Sequence, residues 1–155
     1  MAVDELEELL VAIQVEFPEI CHTIEIGTTY EGNPINAYVL LDSPLLLTIG
    51  QFSEQGILDE IQSRPGLLMN GAHHARELTT ISMVMYTMLR VLHGYVHEDD
   101  FYQILLKEKS LFFIPAVNYD GFAYISEAFD RTGKLEYIRK NRHIYKEMNP
   151  CTAEM

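Results

Sequence analysis

From Asp4 to Gln14, apolar residues recur at Leu6, Leu9, Leu10 and Ile13, with Glu5, Glu7 and Glu8 between them. That spacing predicts a one-sided helix, and acids in its first turn suit the positive end of the helix dipole. Pro18 should end it. Ile20 to Ile26 alternates apolar and polar residues, as a strand with one buried face does. Gly27 to Asn33 reads as a turn, and Ile35 to Leu41 as a second strand, the hairpin partner of the first. Residues 42–65 are the least patterned stretch, an excursion with an apolar run after Pro44 and a helical turn around Ile57 to Ile61.

Pro65-Gly66 leads into Leu67-Leu68-Met69, a short apolar run that reads as a buried strand. From Glu77 to His93, Leu78, Ile81, Val84, Met85, Met88, Leu89 and Leu92 occupy most faces of a helix, so that helix should be largely buried, with Gly94 as its stop. A shorter helix is expected from Asp99 to Lys107, then a second buried strand, Leu111-Phe112-Phe113-Ile114, closed by Pro115. Strand, helix, strand with both strands apolar is the pattern of a crossover in a parallel sheet. The fold class is therefore α/β, with a partial mixed or parallel sheet flanked by helices, in one domain spanning 1–155.

Open α/β sheets bind ligands beyond the carboxyl ends of their strands. His73 to Glu77 follows the first apolar strand and Asn118 to Gly121 follows the second. Parallel strands would place both polar clusters on one rim.

Composition narrows the partners. The formal net charge is −12, from 23 acidic and 11 basic residues, which repels phosphate backbones and argues against nucleic acid. The longest apolar runs, such as Leu45 to Ile49, are too short to span a bilayer, so no membrane partner is expected. Cys21 and Cys151 are far apart in no metal-like spacing, and fit free or buried thiols better than a bridge. The acidic start Met1-Ala2-Val3-Asp4-Glu5 does not read as a signal peptide, and the compartment stays open.

The densest chemistry is Asn70-Gly71-Ala72-His73-His74-Ala75-Arg76-Glu77. His74 and Glu77 are three apart at the start of a helix, where they can point the same way. Imidazole nitrogen and carboxylate oxygen both suit zinc, and Gly71 would let the backbone bend tightly. A solvated polar helix start would carry the same residues. Asn118-Tyr119-Asp120-Gly121-Phe122 reads as a turn. Ile138-Arg139-Lys140-Asn141-Arg142 is a basic cluster in an acidic chain. It is either a solvated patch or a source of an arginine that steadies a developing oxyanion.

Together these segments resemble the zinc carboxypeptidases of the carboxypeptidase A type. Gly71 to Glu77 reproduces G-x-H-x-R-E, with His74 in the ligand place. Asn118 to Phe122 is similar to N-P-D-G-aromatic, with Tyr119 for proline, and Ile138 to Arg142 to W-R-K-x-R, with Ile138 for the aromatic residue. Ile26 to Ile35 fits I-G-x-S-x-E-G-R-x-I loosely. The motifs come in family order and cover nearly the whole chain.

The resemblance implies metal-assisted hydrolysis at a peptide or protein C-terminus, with one zinc ion held by His74 and Glu77. It implies that Arg76 contacts the substrate and that Arg139 polarises the scissile carbonyl. It gives His73 no role. The family's later Asn-Arg pair, second histidine ligand, tyrosine and catalytic glutamate have no counterparts here. The chain is therefore expected to be the N-terminal half of a catalytic domain, with two of three zinc ligands, inactive alone and in need of the missing C-terminal half. His22, His93, His97 and His143 each sit where strand, helix end or surface explains them better than a third ligand. Three other readings stay open: a non-catalytic relative that binds a peptide or partner, a zinc deacylase of related architecture, and a plain α/β interaction domain without metal.

Overall fold

In the computed structural model, which describes residues 2–43 and 54–143, the first amphipathic stretch forms helix α1 (Val3–Glu16). Leu6, Leu10 and Ile13 are its buried residues, and the Ala2 amide donates to the Glu5 carboxylate at 2.8 Å. Strands β1 (Cys21–Thr28) and β2 (Pro34–Leu40) pair antiparallel, from Cys21 opposite Leu40 to Thr28 opposite Pro34. The expected hairpin is present, with residues 29–33 as its turn. The apolar run after Pro44 lies outside the described residues, as does Cys151; Cys21 is a buried free thiol.

Helix α2 (Glu54–Gln62) extends well beyond the single turn expected there. Arg64, just after it, pairs with Glu60 and donates to the carbonyls of Asp42, Leu106 and Lys107 at 3.0–3.2 Å. One guanidinium thus satisfies carbonyls from two separate segments.

Strand β3 (Gly66–Asn70), helices α3 (Leu78–Val96) and α4 (Asp100–Glu108), and strand β4 (Ser110–Ile114) follow. β3 and β4 are parallel, Leu67 beside Leu111 and Asn70 beside Ile114, so the crossover read from the sequence is present. Helix α5 (Tyr119–Thr132) closes the order. The sheet runs β1-β2-β4-β3, with β2 antiparallel to β4. This is a mixed sheet flanked by helices. Among the described residues, no helix is long and apolar enough to cross a membrane.

Side chains alternate across the sheet. Tyr38, Leu40, Leu111 and Phe113 join the main core with Leu6, Leu10, Met85, Met88, Leu106 and Phe122. Val39 and Leu41 face the other way, with Ile57, Ile61 and Phe112 packed against them. The first face is covered by α1, α3, α4 and α5, and the second by α2.

Three expectations are corrected. β3 is not buried: it is an edge strand, and Leu67 and Leu68 are 59% and 56% exposed. Among the described residues no strand pairs with its other edge, so its apolar run does not mark a doubly covered strand. Gly94 does not stop α3. It lies buried inside the helix because a Cβ there would meet the Tyr102 ring at 2.0 Å, so it is a close-packing residue between α3 and α4. The helix ends instead at Val96; just beyond it Glu98 adopts a left-handed φ of 54°, while the Asp99 amide returns to the Gly94 carbonyl. Finally, Asn118 to Gly121 is not a free turn. The Asn118 side chain caps α5, accepting from the Gly121 amide at 3.2 Å.

Candidate active site

The carboxyl ends of β3 and β4 lie side by side because the strands are parallel. The chain leaves both in register: Gly71 N donates to Ile114 O, Val117 N to Gly71 O, and Asn118 N to Ala72 O, all at 3.0 Å. The two polar clusters do share one rim. The bend after β3 falls on Ala72, at φ 48°, rather than on Gly71. Thr80 holds it, donating to Glu77 O and accepting from the Ala72 amide.

His74 Nδ1 lies 2.8 Å from Glu77 Oε1. The imidazole is partly exposed and the carboxylate exposed, so an ion or substrate can reach them. His73 turns elsewhere, its Nε2 2.8 Å from Asn70 Oδ1. The Arg76 guanidinium sits 4.8 Å over the Tyr137 ring. Ala75 N donates to Arg139 O at 3.4 Å, which places the basic segment directly beside the His74 loop, with Arg139 exposed.

The arrangement depends on a connection that sequence reasoning missed. Asp120, 4% exposed, accepts from Glu31 N at 3.0 Å and Asn33 Nδ2 at 2.9 Å. Burial alone would raise its pKa, but hydrogen bonds from Thr29, Asn33 and the Glu31 amide, with the charge of Arg142, hold it below the usual carboxylate value. The same turn grips the basic segment: Arg142 Nε donates to Glu31 Oε1 at 3.0 Å, and Tyr30 stacks on His143. Arg142 also lies over Tyr124 of α5. The start of α5 can approach the His74 loop only because residue 121 is glycine; a Cβ there would meet Ala75 Cβ at 2.6 Å. Four segments distant in sequence therefore converge on one rim.

A zinc ion with bonds of about 2.0–2.2 Å holds tetrahedral ligand atoms about 3.3 Å apart. A 2.8 Å nitrogen–oxygen pair needs only a small opening to fit, so His74 and Glu77 suit two places of such a set. Among the described residues, no group of three or more His, Cys, Asp or Glu side chains could hold a metal. The pair is two of the three protein donors that a catalytic zinc site uses. An apolar groove of about 220 Å³ lies elsewhere, lined by Leu67, Tyr86, Phe101 and Phe112, and includes none of these residues.

The family model for zinc carboxypeptidase matches residues 6–152. The chain belongs to the zinc carboxypeptidase family. Mouse carboxypeptidase A4 is 29% identical over 113 residues, covering 73% of this chain and 23% of that protein. An inactive metallocarboxypeptidase ECM14 of Ajellomyces capsulatus is 30% identical over 126 residues, covering 81% of this chain and 18% of its own length. Among solved structures, thrombin-activatable fibrinolysis inhibitor superposes with a TM-score of 0.70 at 20% identity, covering 94% of this chain and 31% of that one. Carboxypeptidase A from Helicoverpa armigera gives 0.63 at 24% identity, covering 96% and 30%. These likenesses establish the carboxypeptidase fold. The chain spans less than a third of the length of each of these four proteins.

Proposed function

We propose that this chain supplies one side of a metallocarboxypeptidase site acting on peptide or protein C-termini, and that alone it does not complete the reaction. The observation that carries the reading is the 2.8 Å approach of His74 Nδ1 to Glu77 Oε1 at the carboxyl end of a parallel strand. His74 and Glu77 are the two zinc ligands of this chain. A bound zinc would supply a Lewis acid and an activated water. Arg76, steadied against Tyr137, contacts the peptide, and Arg139 faces the carbonyl on which negative charge develops.

A third ligand and a proton-accepting carboxylate must come from outside the described residues, as from a C-terminal half of the domain. Two ligands hold a metal loosely, and without a fixed third the open position for substrate is not defined. Zinc titration of the chain by calorimetry tests the ligand pair. His74→Ala and Glu77→Ala should each weaken binding by about tenfold or more, the scale seen when a metal site loses a supporting group. Equal affinity in all three proteins would remove the proposed ligands.

A second reading, a non-catalytic relative that binds a peptide or partner, is favoured by the lack of a three-donor cluster among the described residues. Both readings expect no release of terminal residues from peptides by this chain alone with added zinc; they separate when a C-terminal half is supplied, which should restore release under the first reading only. Release by this chain would overturn the inactive reading of the fragment.

A further inference from the structure

The far end of α3 carries a second imidazole pair that the active-site reading leaves unused. His93 and His97 are one helical turn apart and both exposed. Their rings are stacked, with centroids 4.0 Å apart and planes within 18° of parallel. We propose that His93 and His97 form a two-ligand surface site for a divalent late first-row transition metal, independent of His74 and Glu77.

Residues four apart on a helix share a face, and these two side chains have already met. His97 Nδ1 lies 2.8 Å from His93 O. A carbonyl can only accept, so Nδ1 carries the proton and the lone pair is on Nε2. Donation of the second ring nitrogen to a backbone carbonyl is how metal-binding histidines are commonly oriented. Bringing both Nε2 atoms onto one ion requires the two planes to tilt. Both residues are exposed, and the tilt gives up the stacking of the two rings on each other. Imidazole suits nickel, copper and zinc and does not suit magnesium.

The charge surroundings are mixed. The negative end of the α3 dipole and the following Glu98, Asp99 and Asp100 favour a cation, although the Asp99 carboxylate is engaged by Phe101 N. Against this, an Arg90 guanidinium nitrogen lies 3.5 Å from His93 Nδ1, at the limit of hydrogen bonding. A guanidinium can only donate, so it draws the His93 proton toward Nε2 and repels an ion there. Removing Arg90 should therefore tighten the site. With two protein donors and water in the other positions, the site is an exchangeable one.

The test is calorimetric titration of His74→Ala/Glu77→Ala protein with nickel chloride, using magnesium chloride as control. The expected result is nickel binding and no magnesium binding. His93→Ala and His97→Ala should each weaken nickel binding by about tenfold or more, the loss expected when one of two tethered ligands is removed. Arg90→Ala should strengthen it. Circular dichroism checks the fold, which these exposed positions should not disturb. Absence of nickel binding, or binding unchanged by both histidine substitutions, would overturn the proposal. Because the background lacks His74 and Glu77, neither result depends on whether that pair binds zinc.

Discussion

Replacing Asp120 by alanine should loosen two segments that do not touch each other in sequence. The carboxylate accepts from Glu31 N and Asn33 Nδ2, and Thr29 adds a third hydrogen bond. A hydrogen bond to a charged group contributes about 1.5–3 kcal/mol. The donors are partly exposed and regain water on loss of their partner, so the summed cost should be about 2–4 kcal/mol rather than three full bonds. For a chain of this size that is a fall in Tm of roughly 5–15 °C.

The distinguishing part is where the loosening appears. Residues 29–33 lose their anchor, and residues 139–143 should follow, because Glu31 holds Arg142 and Tyr30 stacks on His143. Hydrogen exchange should rise in both segments and stay unchanged in the middle of α3. The effect should also depend on pH with a definite sign. The folded-state pKa of Asp120 lies below its ordinary 3.8, so its stabilisation is complete above that value and fades as pH falls through the lower one. The gap between wild type and variant should close in acid. Loss of stability with no change in exchange at 139–143 would refute the coupling.

Arg64→Ala should cost about 2–3 kcal/mol in urea unfolding, since it leaves three carbonyls from two segments without their shared donor; a loss under about 0.5 kcal/mol, the scale of an ordinary surface change, would show that water replaces it. Leu68→Lys, on the open edge strand, should leave unfolding free energy unchanged within about 0.5 kcal/mol and reduce self-association by light scattering; unchanged scattering would count against the edge as the sticky surface. Burial lowers the His22 pKa, opposed by a backbone hydrogen bond with Glu19, so the unfolded chain takes up that proton first and stability should fall as pH drops below about 6.5; an identical pH slope in His22→Gln would refute this. Burial pushes the Cys21 thiol up to about 12, so native protein should resist iodoacetamide at this residue, measured by peptide mass mapping, until urea unfolds it.

Much of the fold was legible from periodicity. The α1 stripe, the hairpin and the β3-to-β4 crossover each carry a local pattern, and the parallel pairing places His74 and Asn118 on one rim. What could not be read depended on neighbours. Leu67-Leu68-Met69 is as apolar as a central strand, and only the sheet order reveals an edge. Gly94 looks like a stop until Tyr102 is found against it. Helix α5 was hidden by the turn chemistry of Asn118, Asp120 and Gly121, although Phe122, Ile125 and Ala128 recur every three residues. Within the site, the three-residue spacing does bring His74 to Glu77, but through a turn closed by the Glu77 amide on the His74 carbonyl, ahead of α3 rather than on the helix. The Asp120 anchor and the Glu31–Arg142 pair join residues that no local pattern connects.

The contacts that gather the basic segment and the turn span 87 to 111 positions of chain. Such long loops are slow to close, whereas the helices and the hairpin can form from neighbouring residues. The rim that holds His74 should thus be among the last parts assembled as the chain folds. Substitutions at Asp120, Glu31 or Arg142 should consequently speed unfolding and leave the folding rate nearly untouched.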